Sequence, residues 1–312
     1  MTFNTPGIPT AFFHHWFDVF RKAGKNWLES QAFIYAAALA FFTVFSIAPV
    51  VILIVAVLGL ILGEDTARAE LMGQLEAVMG SQAVSVVETA IQNSRIEDSG
   101  ILPTLAGLAA TIVGATTVFA QMQKSLNQIW DVAPRPSRSS LWLFIKARLL
   151  SLTMVLSIGF ILLVSLLLGV VIRATIAHAE QWLPMPGWLM LGVEPVISLT
   201  VVTLLFAAIF RILPDVVLRW SDVAAGAFIT ALLFTVGRTL IAWYLANTAA
   251  ASAYGAAGSL VLLLLWVNYS ALILLIGASI CRANLELRGG SIRPRNTAVR
   301  VHRELLEDAD LR

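Results

Sequence analysis

The chain has 312 residues, 58% of them hydrophobic and only 13% charged, with a formal net charge of +2. Apolar residues at that density, gathered in runs of about 20, exclude an ordinary soluble domain and make the bilayer the solvent. So small a net charge gives no ground for nucleic-acid binding, and the single cysteine, Cys281, excludes an intramolecular disulfide and a thiolate metal cluster.

The N-terminus lacks the charged, apolar and small-residue order of a cleavable signal peptide, so the first long apolar segment is expected to stay as an anchor. Before it, Phe12, Phe13, Trp16, Phe17, Phe20, Trp27 and Leu28 recur at helical spacing among His14, His15, Arg21, Lys22 and Lys25. That pattern predicts an amphipathic helix lying in the plane of the inner leaflet and makes residues 1–33 a cytoplasmic segment. Six spans follow, at about 34–62, 101–121, 148–172, 193–213, 223–246 and 256–281, each long enough for a hydrocarbon core of about 30 Å at 1.5 Å per residue. They define a transmembrane domain over 34–282. Between the first two spans, Leu71, Leu75, Val78 and then Val84, Val87, Ile91 repeat every three or four residues, which predicts two short amphipathic helices in the loop 63–100. Residues 283–312, with Arg293, Arg295, Arg300 and Arg303 ahead of Glu304, Glu307, Asp308 and Asp310, read as a solvated, partly disordered basic tail.

Charge sets the orientation. Of the 21 basic residues, 17 fall before the first span, in 122–148, around 211–222 or in the tail; only Arg68, Arg95 and Arg173 fall in the alternate loops. The positive-inside rule then puts both termini in the cytoplasm. Loop 63–100, with seven acidic residues and two arginines, belongs outside. The fold class expected is an all-α polytopic bundle in a bacterial inner membrane, N-in and C-in, with the N-terminal and external-loop helices added.

The enzyme inventory is nearly empty. His14, His15, His178 and His302 all lie outside the spans, the centre of every span lacks Asp and Glu, and no nucleophile elbow, phosphate loop or dinucleotide fingerprint occurs. No catalytic role, cofactor or metal is expected. What remains is a set of irregularities inside the bundle. Pro49 removes a backbone donor within the first span and frees the carbonyl of Phe45, which Ser46 or Thr43 can satisfy locally or which can line a cavity. Gly59 and Gly63 form a GxxxG step, and Ala106, Ala110 and Gly114 continue the small-residue theme, which predicts close helix approach. Arg238 is the one basic residue away from the ends of a span, where it costs at least about 2.5 kcal/mol on insertion scales. Its expected partners are backbone carbonyls, hydroxyls such as Tyr244, Tyr254 or Tyr269, or an anionic ligand. Asn268, Tyr269 and Ser270 make a polar step in the last span. Arg238, Ser46, Pro49, Tyr254, Asn268 and Tyr269 are therefore the candidate substrate or cavity residues.

Several phrases taken in order resemble the YihY/BrkB family of bacterial inner-membrane proteins, long mislabelled as ribonuclease BN. They are Ala38-Leu-Ala-Phe-Phe-Thr-Val-Phe-Ser-Ile-Ala-Pro49, Gln123-Lys-Ser-Leu-Asn-Gln-Ile-Trp130, Leu213-Pro214 with Gly226-Ala227, and Tyr254-Gly255 leading to Leu265-Trp-Val-Asn-Tyr269 and Gly277-Ala278. The resemblance covers about residues 30 to 282 and implies six transmembrane helices with cytoplasmic ends, without implying an activity. The family commonly follows Gly-Ala with Glu in the last helix, where this chain has Ser279. The function expected is a transporter or flippase-like protein for an amphipathic or anionic envelope molecule, with membrane lipids as partners. The alternative is a non-catalytic membrane scaffold or regulator of the envelope whose basic tail and N-terminal helix bind partners or anionic lipid.

Overall fold

The computed structural model describes residues 8–79, 81–93, 101–135, 187–247 and 258–301. Within them the chain forms helices α1 (Ile8–Glu29), α2 (Ala32–Leu62), α3 (Glu64–Met79), α4 (Ser81–Asn93), α5 (Ile101–Ile129), α6 (Gly187–Ile212), α7 (Trp220–Asn247) and α8 (Gly258–Leu287). Two short strands, β1 (Val132–Pro134) and β2 (Ala298–Arg300), pair antiparallel with Val132 opposite Arg300. The stretches Ala32–Leu60, Trp220–Ile241 and Leu260–Leu287 are long and apolar enough to cross a membrane, and Ser198–Ile212 is a shorter apolar stretch. The predicted span 148–172 lies outside the described residues.

The core runs between the long helices. α2 packs along α5 and α8, α7 lies against both α6 and α8, and α1 rests on α8. Ile54 and Leu58 of α2, Leu126 and Ile129 of α5, Phe210 of α6, Val223 and Ala227 of α7, and Leu275 and Ala278 of α8 belong to one buried cluster. Small residues set the spacing. A Cβ at Gly226 would collide with Sγ of Cys281, and one at Gly277 with the Thr230 hydroxyl, so α7 and α8 meet almost backbone to backbone. Pro49 does not interrupt α2. Its ring fills the space at Gly114 of α5, where a Cβ would sit 2.8 Å from Pro49 Cγ, so the proline seats one helix on the other.

Gly59 and Gly63 do something other than the close helix approach their spacing predicts. Gly63 ends α2 at φ 83°, a left-handed conformation that a Cβ disfavours, and donates its N–H to the Gly59 carbonyl at 2.9 Å. A Cβ at Gly59 would press on the Glu64 backbone at 3.3 Å. The pair thus makes the tight corner from α2 into α3. The helices predicted in loop 63–100 are α3 and α4, which bury Ala67, Leu71, Val84, Val87 and Ile91.

α1 packs with its small face. Val19 and Ala23 meet Ile280 and Ala283 of α8, whereas Phe13, Phe17 and Phe20 remain exposed. Phe41, Phe45, Leu60, Val236, Leu240 and Leu265 on the long helices are exposed as well. An apolar surface of this extent suits hydrocarbon and not water. The reading of the chain after 282 as a solvated tail is corrected for 283–301. α8 continues to Leu287, and the segment beyond it returns to pair β2 with β1 and to bridge Pro294 with Val216. Its basic residues suggested solvent, but buried Ile292 and Ala298 anchor it across the ends of α5 and α6.

Candidate functional site

A cleft of about 480 Å³ opens where α2 turns into α3, lined by Val51, Ile52, Val55, Ala56, Gly59 and Leu60 of α2, Glu64 and Arg68 of α3, Ile91 of α4 and Thr111 of α5. The α2 residues fall in pairs one turn apart, so they form a continuous apolar wall on a single helix face about 14 Å long at 1.5 Å per residue. The corner at Gly63 brings the first turns of α3 to the end of that wall. Glu64 and Arg68 are four residues apart and share a face of α3, the spacing and order that favour an intrahelical ion pair. They do not form one. Arg68 Nη2 lies 3.9 Å from Glu88 Oε1 of α4, and Glu64 is exposed with no ion pair among the described residues. The volume is that of a small-molecule site, and Leu60, 87% exposed, leaves its flank open to whatever surrounds the bundle.

A polar cluster lies at the other end of α5. Asn127 Nδ2 donates to Asp215 Oδ2 at 2.8 Å while the Asp215 N–H donates to Asn127 Oδ1 at 2.8 Å, and Gln123 Nε2 adds a third donor at 3.3 Å. The Asp215 carbonyl accepts from the Arg295 N–H at 2.9 Å, and the Arg295 guanidinium donates to the Arg211 carbonyl at 3.2 Å. Beside this, Arg282 meets Asp131 at 2.7 Å and Glu286 at 2.9 Å and also donates to the Ile129 carbonyl. Lys22 of α1 meets Glu286 at 2.9 Å, and His15 is 3.1 Å from the Asn284 side chain. The Arg282 side chain is only 11% exposed, and removing it would leave Asp131 without its ionic partner while Glu286 keeps Lys22. These groups are mutually satisfied and tie α1, α5, α6, α8 and the returning C-terminal segment together. They form a clasp and leave no donor set directed at a ligand.

The residues singled out in the sequence are scattered. Arg238 is half-buried in α7 and makes no hydrogen bond or ion pair with any described residue. Tyr269 of α8 packs on Gly237, the position next to it, where a Cβ would overlap the phenol ring. Asn268 is half-buried in α8, and Ser46 is buried in α2 one turn before Pro49, whose ring faces α5. Tyr254 lies outside the described residues. The cleft therefore begins at Val51, just beyond Ser46 and Pro49, and Arg238 does not line it. Sequence reasoning missed Glu64, Arg68 and the Asn127–Asp215 clasp. The signals were present: a Glu and an Arg four apart directly after a helix-ending glycine, and an Asp after Pro214 matched by Gln123 and Asn127 four apart on one helix face.

Among the described residues no three His, Cys, Asp or Glu side chains gather closely enough to hold a metal ion. The comparisons with known proteins agree with the membrane character of the fold. The chain is 26% identical to the ribonuclease-like protein YfkH of Bacillus subtilis over 253 residues, covering 78% of this chain and 87% of that one. It is 27% identical to a UPF0761 membrane protein of Mannheimia succiniciproducens over 260 residues, covering 81% and 84%. A longer UPF0761 membrane protein of Xanthomonas axonopodis pv. citri is 25% identical over 268 residues, which are 85% of this chain and 60% of the relative. No solved structure matches the chain. The family model described as virulence factor BrkB matches residues 23–300. That match spans most of the sequence, and with relatives named as membrane proteins and helices of spanning length the chain is an integral membrane protein belonging to the BrkB family.

Proposed function

We propose that this protein is a transporter or flippase-like carrier for an amphipathic envelope molecule, working in the bacterial inner membrane with six spans and both termini cytoplasmic. The observation that carries the reading is the cleft beside α2. Its long apolar wall ends in ionic groups, and its flank is open at Leu60. A molecule with an apolar chain and a polar head fits such a site: the chain stays in a hydrocarbon-like environment while the head reaches Arg68 and Glu64. The orientation rests on the charge asymmetry, which assigns α3, α4 and the polar end of the cleft to the outer side. A catalytic reading gains no support from the clasp, whose carboxylates are engaged by Arg282, Lys22, Asn127 and Gln123 and whose histidine meets Asn284.

The test is lipid movement by purified protein. Proteoliposomes carrying acyl-chain-labelled fluorescent phospholipid are treated with an impermeant reductant, and the fraction bleached reports exchange between leaflets. Wild-type protein is expected to raise that fraction above the half that protein-free vesicles show. Ala56→Trp, which fills the cleft from an exposed position, is expected to return it to half without changing thermal stability. No exchange by the wild-type protein, under any imposed ion gradient, would favour the scaffold reading.

A further inference from the structure

The cleft's polar end holds one positive and one negative group, and we infer that its ligand is a zwitterionic aminophospholipid of the phosphatidylethanolamine class, with its phosphate on Arg68 and its ammonium on Glu64. The inference rests on the carrier reading and narrows its substrate.

The geometry narrows it in three steps. First, Glu64 and Arg68 stand one turn apart on a common face of α3, about 5–6 Å between their Cβ atoms, with the acid N-terminal to the base. That arrangement normally closes into an ion pair, yet Glu64 has no ionic partner among the described residues, and Arg68 forms a long ion pair with Glu88 at 3.9 Å, which a phosphate would displace. Both groups line the cleft instead. Second, a purely anionic head would place its charge beside the Glu64 carboxylate, and a purely cationic one beside the Arg68 guanidinium. Like charges at such separation oppose binding, whereas a head carrying both charges in sequence satisfies both. Arginine suits phosphate through its planar fork of donors, and a primary ammonium offers a carboxylate three N–H donors. Third, the wall of Val51, Ile52, Val55, Ala56 and Leu60 adjoins these charges and has no ionic group along it, which fits an acyl chain and excludes a free polar zwitterion such as an amino acid.

The test separates this inference from the carrier reading. Detergent-purified protein is incubated with equal amounts of palmitoyl-oleoyl phosphatidylethanolamine and phosphatidylglycerol, and the lipids retained are counted by native mass spectrometry. The wild-type protein is expected to retain the ethanolamine lipid in about tenfold preference, the size of one charge-assisted contact. Glu64→Gln is expected to bring the ratio close to one by weakening the ethanolamine lipid and relieving the repulsion of phosphatidylglycerol. Arg68→Gln is expected to reduce both lipids together, and so is Ala56→Trp. Glu64 is exposed, so its variant keeps the fold, which an unchanged thermal midpoint checks. Equal retention of the two lipids, a preference for phosphatidylglycerol, or a ratio that Glu64→Gln leaves unchanged overturns the headgroup assignment while leaving a carrier of amphiphiles in place. Retention undiminished in Ala56→Trp overturns both, because the lipid then sits elsewhere.

Discussion

Two arginines occupy opposite situations. Arg282 is held by Asp131, Glu286 and the Ile129 carbonyl. Arg238, at a depth where a charge is costly, has no hydrogen-bond or ion-pair partner among the described residues. A charge that no described residue pairs has no hydrogen bond or ion pair with them to lose when it is removed. Arg238→Gln is therefore expected to fold, insert and melt in detergent like the wild type. If the arginine meets an anionic group during transport, the same variant loses lipid exchange in proteoliposomes, and Arg238→Lys, which keeps the charge without the planar fork, falls between. A Gln variant that is less stable by about 1–3 kcal/mol, with exchange lost in proportion, would identify a buried hydrogen-bond network and end the ligand-contact reading. The charge of Arg238 was legible in the sequence because a lone cation stands out in an apolar run. The more engaged Arg282 was not, because a basic residue just past a span reads as an ordinary inner-side charge until the fold brings Asp131 to it.

At the scale of elements, the joint between α7 and α8 depends on missing side chains. The space beside Gly226 is taken by Cys281 Sγ, and the Gly277 carbonyl and Cys281 N–H lie 3.1 and 3.2 Å from where a Cβ would be. Two of those three neighbours are backbone, so the joint cannot yield by a rotamer change. Gly226→Ala is expected to lower stability by about 1–3 kcal/mol, the range for overpacking a filled interior. Gly24→Ala in α1, where nothing lies within 4 Å, is expected to be neutral or stabilising by up to about 1 kcal/mol. Thermal midpoints in detergent decide the matter, and equal effects at the two glycines would contradict the close approach of α7 and α8. The long helices were legible because apolar runs of bilayer length have few alternatives, and α3 and α4 because their apolar residues recur every three or four positions. What Gly59 and Gly63 do was not legible: a four-residue glycine spacing looks the same whether it admits a neighbouring helix or shapes a corner. The end of the last helix was lost for a related reason. Asn284 and Glu286 carry polar side chains because they belong to the clasp, and polarity beyond a span resembles solvent exposure. The cleft was hidden most completely, since it exists only where the Gly63 corner brings α3 back alongside α2.

For the whole molecule, the carrier reading needs a definite sidedness, because the cleft faces whichever leaflet holds the α2–α3 corner. In the proposed orientation that corner lies on the outer side, an expectation that rests on the sequence count of 17 basic residues for the inner side and three for the outer. The clasp is consistent with one face for the opposite ends, since it joins α1, the end of α5, the end of α6 and the segment after α8 in a single connected patch. Those four places must lie on the same side of the membrane. Reporter fusions after residue 90, in α4, and after residue 290, past α8, are thus expected to report opposite sides, the first periplasmic and the second cytoplasmic. A third fusion after residue 135, just past β1, is expected to agree with residue 290, because β1 pairs with β2. Agreement between 90 and 290 would remove the outer position of the cleft and with it the direction of access. Disagreement between 135 and 290 would contradict the clasp itself, whatever the orientation of the rest.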